Sequence, residues 1–139
     1  MNKRITRSVA FILLLCFLLS TVAFASVNSS AYIAVTSGYF TRSGNDVNIY
    51  FSIVGRHLMD EIGVSKIYLY EKNGNVWSLV YTFDSADSTY TSDMLSYNAS
   101  AKADHVTYSG SSTKDYYALL YFYAADGNGS DTIHYYTYS

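Results

Sequence analysis

From residue 26 onward the apolar positions recur every second residue, the spacing of strands that bury one face. In DVNIYFSIV, Val47, Ile49, Phe51 and Ile53 share one face, with Asn48, Tyr50 and Ser52 on the other. SKIYLYE sets Ile67 and Leu69 against Lys66, Tyr68 and Tyr70. KNGN follows, and Asn73-Gly74 predicts a type I′ hairpin, whose two central residues both take positive φ. The return strand is VWSLVYTF, Val76 to Phe83. DSADSTYTSD then reads as a polar loop with room for a short edge strand. HVTYSG (His105 to Gly110) and YYALLYFYA (Tyr116 to Ala124) form the next pair, and ADGNGSD turns the chain into TIHYYTY. With YIAVTSGYF in front, the pattern predicts about seven strands. No 3.6-residue period, repeat or second domain interrupts them. The expected fold is all-β, a single antiparallel β-sandwich over residues 26–139.

Residues 1–25 follow a different rule. Lys3, Arg4 and Arg7 precede the apolar run Val9 to Leu19, and Ala23, Phe24 and Ala25 supply the small-x-small pattern of a cleavage site. This is the layout of a signal peptide. The apolar run is 11 residues long, against the roughly 20 that span a bilayer. Cys16 follows three leucines instead of the small residues of a lipoprotein box. The expectation is therefore a secreted, extracellular protein with no stable membrane insertion after cleavage.

Cleavage changes the charge and the chemistry. The formal net charge of the whole chain is −2, and loss of the three N-terminal cations takes it to −5. Nucleic acid and anionic lipid are poor partners for such a surface. The only cysteine leaves with the signal, so packing alone must hold the domain. The three histidines, His57, His105 and His134, lack metal-site spacing. DGNGSD starts like a calcium loop at Asp126, Asn128 and Ser130, but Asp131 stands where glycine is required and Thr137 where glutamate is. A hairpin turn accounts for it. No nucleophile elbow or phosphate loop is present, and the only glutamates are Glu61 and Glu71. No cofactor, metal or catalytic residue is expected, and the protein is not expected to be an enzyme.

Tyrosine is the compositional outlier, at 16 residues. If Leu120 and Phe122 face the core, then Tyr117, Leu119, Tyr121 and Tyr123 face outward. The last strand adds at least one tyrosine beside them. In immunoglobulin-type sandwiches the corresponding strands share a sheet with the one holding Tyr68 and Tyr70. The expected binding surface is thus Tyr68, Tyr70, Tyr121, Tyr123 and Tyr136. Such rings offer contact area at low entropic cost plus a hydroxyl for directional bonds. Trp77, just after the hairpin, is expected to anchor that turn by packing across the sheet.

Tyr116, Ala118, Leu120, Phe122 and Ala124 follow the rhythm of strand F in immunoglobulin-like and fibronectin type III domains. That resemblance implies a corner at Tyr116, its hydroxyl bonded to nearby backbone. The immunoglobulin cysteine pair and the fibronectin-type tryptophan of the second strand are absent from the matching positions. MDEIGVSKIYLYEKNGNVW, VTYSG, YYALLYFYA and GSDT, in that order, resemble a group of small secreted bacterial proteins of unknown function. This second resemblance implies one exported β-sandwich per chain. It also implies that DEIGVSKI is a structural joint, with Gly63 supplying a positive φ or a close approach. The function expected from these readings is a secreted, non-enzymatic interaction module that binds carbohydrate or a cell-surface protein. The alternative is a secreted structural, self-assembling or bacteriocin-like protein.

Overall fold

The structure, a computed structural model, describes residues 30–139. The expected signal peptide lies outside the described residues. Six antiparallel strands form one curled sheet: β1 (Ile33–Ser43), β2 (Asp46–Asn73), β3 (Val76–Asp84), β4 (Leu95–Ser109), β5 (Tyr116–Asp126) and β6 (Gly129–Tyr138). One helical turn, α1 (Thr91–Met94), precedes β4.

β2 is 28 residues long and organises everything else. Its first half runs between β1 and β4, and its second half between β5 and β3. β6 joins beyond β5. The two segments DVNIYFSIV and SKIYLYE, read separately from the alternation, are therefore halves of one bent strand, which makes six strands instead of seven. The link stays extended because its backbone keeps partners. Arg56 N–H donates to the Tyr32 carbonyl at 2.9 Å, and Met59 pairs with Ala99. Glu61 to Gly63 is paired on both sides, with Tyr97 to Leu95 and with Ala125 to Tyr123. Gly63 permits that crowding. A Cβ there would stand 2.0 Å from the Met94 carbonyl oxygen and 2.9 Å from Leu95 Cα, closer than non-bonded atoms approach.

The hairpin after β2 also differs from the expected one. Asn73 pairs with Val76, so the two-residue loop is Gly74-Asn75. Gly74 has φ +63, and Asn75 is not among the residues with positive φ. Glycine alone at the first central position is the type II′ arrangement, not type I′. Gly44-Asn45 repeats it between β1 and β2, with Gly44 at φ +62. Gly127-Asn128 closes the last hairpin, and the Asp126 carboxylate accepts the Asn128 N–H at 2.7 Å.

The alternation places one continuous core inside the curl. Val47, Ile49, Phe51 and Ile53 of the first half of β2 meet Ile67 and Leu69 of the second half, Phe83, Val106, and Tyr116, Ala118, Leu120, Phe122 and Ala124. Fully burying each large apolar side chain contributes roughly 1.5–3 kcal/mol, the main source of stability for a domain without a cystine. Gly38 of β1 shows how closely the halves meet. Its Cβ position is 3.4 Å from both Leu120 and Tyr135.

β4 starts ten residues before HVTYSG. The inward positions opposite Ile53 and Phe51 are Lys102 and Asp104, so apolar alternation is masked there. The pair is satisfied internally: Lys102 Nζ donates to Asp104 at 3.0 Å and to the Ser92 carbonyl at 2.8 Å. The polar segment before it holds turns and α1, with no edge strand.

Candidate binding face

Since Phe83, Leu69, Leu120 and Thr137 point into the core, the intervening residues of β3, β2, β5 and β6 must cover the outside of that half. Register then decides which become neighbours. Tyr70 lies opposite Tyr117, and Tyr117 opposite Tyr138. Tyr68 lies opposite Leu119, and Leu119 opposite Tyr136. Lys66 lies opposite Tyr121, and Tyr121 opposite His134. Trp77 enters from β3, opposite Lys72.

The rings pack in cross-strand pairs. Tyr70 and Tyr117 are stacked, with centroids 4.5 Å apart and planes 7° from parallel. Parallel rings separated by about one strand spacing stand upright on the sheet, so they show solvent their edges and hydroxyls. Trp77 meets Tyr117 edge-on at 4.9 Å, and Tyr138 closes on the other side at 5.7 Å. Tyr68 sits edge-on to Tyr121 at 5.5 Å, and Tyr121 touches the His134 ring at 4.2 Å. Each aromatic pair adds roughly 0.5–1.5 kcal/mol beyond its area. The Tyr117 phenol is pushed up by burial, and then by the neighbouring phenols of Tyr70, Tyr138 and Tyr136.

Of the residues expected at this surface, Tyr68, Tyr70, Tyr121 and Tyr136 lie in the panel. Tyr136 is 57% exposed. Tyr123 lies two residues beyond Tyr121 on the same face of β5, opposite Gly63 and Thr132, and like Tyr136 it forms no ring pair among the described residues. The structure adds Tyr117, Tyr138 and Trp77. Tyr117 and Tyr138 share parity with Tyr121 and Tyr136, so the alternation already carried that signal. Trp77 is 36% exposed, rests against Tyr117 and carries the Lys72 ammonium 5.7 Å from its ring centroid.

Two lysines, Lys66 and Lys72, border the rings. Lys66 meets Asp84 at 3.1 Å. The Asp84 carboxyl is held below its ordinary value by the Ala86 N–H and then by Lys66, while Lys66 is raised by its bond to Asp84. The phenol hydroxyls of Tyr68, Tyr70, Tyr117, Tyr121, Tyr136 and Tyr138 have no hydrogen-bond partner among the described residues. Three other phenols do. Tyr81 and Tyr90 share a bond of 2.7 Å, which helps push Tyr90 up to about 12.

Tyr116 takes the third. Fully buried, it accepts the Ser111 N–H at 2.8 Å and donates to Glu71 at 2.9 Å. Burial raises its phenol. Gly110 makes room, since a Cβ there would be 2.6 Å from that hydroxyl. The Tyr116 corner pins the start of β5, and so fixes where Tyr117 stands.

Among the described residues no group of three or more His, Cys, Asp or Glu is arranged to hold a metal ion. No described helix is long and apolar enough to cross a membrane. Comparison of the chain with protein-family models, with curated proteins and with solved structures finds no match.

Proposed function

We propose that this chain is a secreted, non-enzymatic recognition module whose contact surface is the aromatic panel on β3, β2, β5 and β6, and whose ligand is a neutral cell-surface carbohydrate. One observation carries the reading. Six phenols with free hydroxyls and one tryptophan gather on a single outer face, where Lys66 is paired with Asp84 and Lys72 rests over the Trp77 ring. A phenol both donates and accepts, which suits a ligand made of hydroxyls. The upright rings supply apolar edges between those groups.

The fold supports the same reading. Taken as two strands, β2 serves both layers of a seven-strand sandwich of the immunoglobulin or fibronectin type III kind. β1, the first half of β2 and β4 form one layer, and β3, the second half of β2, β5 and β6 the other. In that arrangement the panel is the outer face of the larger layer. Export rests on the basic and apolar pattern of residues 1–25.

A glycan array probed with the processed protein tests the proposal. Binding to neutral glycans should vanish in the Tyr121→Ser, Tyr136→Ser double variant while its circular dichroism stays that of a sheet. Retained binding in that variant moves the site elsewhere. Binding only to a surface protein replaces carbohydrate with the other expected class of partner.

A further inference from the structure

The edges of this sheet are not treated alike. β4 turns Lys102 and Asp104 inward, a device that discourages a foreign strand from pairing. β1 lies against β6. β3 has neither protection, and its one irregularity is a bulge at Val80, between Leu79 opposite Tyr70 and Tyr81 opposite Leu69. Among the described residues its only ladder partner is β2. Its sequence from Val76 to Phe83, VWSLVYTF, contains no charge, proline or glycine. Val76 is 63% exposed and Leu79 51%. An uncharged, β-prone run on an open edge is the pattern that pairs with another chain.

We infer that the β3 edge pairs antiparallel with β3 of a second copy of this chain, so that the β3, β2, β5 and β6 half of each curled sheet continues into that of the other across a twofold axis. The charges select a copy of itself. An antiparallel twofold sets the hairpin end of one β3 beside the Asp84–Asp87 end of the other. Lys72, poised over Trp77, has no carboxylate within 4.0 Å among the described residues, and neither does Asp87 have a cation. The twofold brings these two opposite charges toward each other twice. Within the uncharged run it places no like charges face to face. The two aromatic panels then continue as one surface, so a bound polymer would be held at two places.

Analytical ultracentrifugation of the purified protein from low micromolar to near-millimolar concentration tests this. The expected result is a monomer–dimer equilibrium. Leu79→Lys should weaken it by about tenfold or more, because like charges then face each other across the axis. Lys72→Glu should weaken it too, and Lys72→Glu with Asp87→Lys should restore it. Leu79 is exposed, so circular dichroism and thermal midpoint should hold in that variant. Tyr121→Ser with Tyr136→Ser should leave dimerisation unchanged. A monomer at every concentration overturns the inference, as does a dimer indifferent to Leu79→Lys or a charge swap that fails to rescue.

Discussion

The two halves of the curled sheet share one core and one long strand, yet their outer faces are made of different material. Across β1, β2 and β4 the outward rows read Thr41, Asn48, Thr107, then Ser37, Ser52, Ala103, then the apolar Val35, Val54, Ala101. Small hydroxyl and amide groups pair there, as in the 2.7 Å bond from Thr107 to Asn48. A single ladder of rings crosses that face, Tyr39 on Tyr50 at 5.0 Å and Tyr50 on His105 at 4.8 Å. Across β3, β2, β5 and β6 almost every outward position is aromatic or long. Inward packing is alike in both halves, so the core does not require this difference. The difference is therefore confined to what each outer face shows to solvent.

The joint between the halves offers the largest effect. Gly63→Ala forces a methyl against the Met94 carbonyl and should cost about 3 kcal/mol or more. Chemical denaturation checks it, and a cost below about 1 kcal/mol would show that β4 yields freely at that point.

Next comes the contrast of faces. Tyr117 contacts three rings and Tyr50 two, so Tyr117→Ser should lose roughly 2 kcal/mol and Tyr50→Ser roughly 1 kcal/mol. Trp77 is the only tryptophan and touches only the aromatic side. Its emission should shift to the red in Tyr117→Ser and stay put in Tyr50→Ser. A shift in both would dissolve the distinction between faces.

Acid should loosen both halves. Asp84 is held low by the Ala86 N–H and Lys66. Asp104 is held low by Lys102 and the His105 N–H, against the opposing and largest influence of its partial burial. At the turns, Asp126 is held low by His57 and Asp131 by Ser30. A depressed carboxylate stabilises the fold above its unfolded value of about 3.9, and that contribution is lost as pH falls through the folded value. The thermal midpoint should therefore be flat with respect to these groups from pH 7 to about pH 5, then fall below about pH 4. Stability unchanged down to pH 2 would contradict these pairings.

The smallest effect sharpens the comparison most. Tyr136 is more than half exposed, so Tyr136→Ser should change stability by less than about 0.5 kcal/mol and yet weaken ligand binding. Loss of both together would make the ring structural.

Much of this was legible in residue order. Period-two alternation identifies the core side chains from Val47 to Ile53 and from Tyr116 to Ala124, because a strand with one buried face must repeat every second residue. The same parity puts Tyr117 and Tyr121 outside. Where inward positions are polar, as at Lys102 and Asp104, the signal fails and the first ten residues of β4 go unread. The hairpin was legible too, but its register was not. Asn73-Gly74 and Gly74-Asn75 are both acceptable loops, and the pairing of Lys72 with Trp77 and Asn73 with Val76 chose between them.

What the sequence determined by itself was a sheet, its inward face, and a surplus of phenols on the other side, all consequences of local periodicity. Only the tertiary structure decided that two predicted strands are one bent strand, that Trp77 and Tyr138 meet Tyr117, and that β3 is left as an open edge. Those outcomes depend on which strand lies beside which. Pairing is a bond between residues far apart in the chain, and no short-range pattern encodes it.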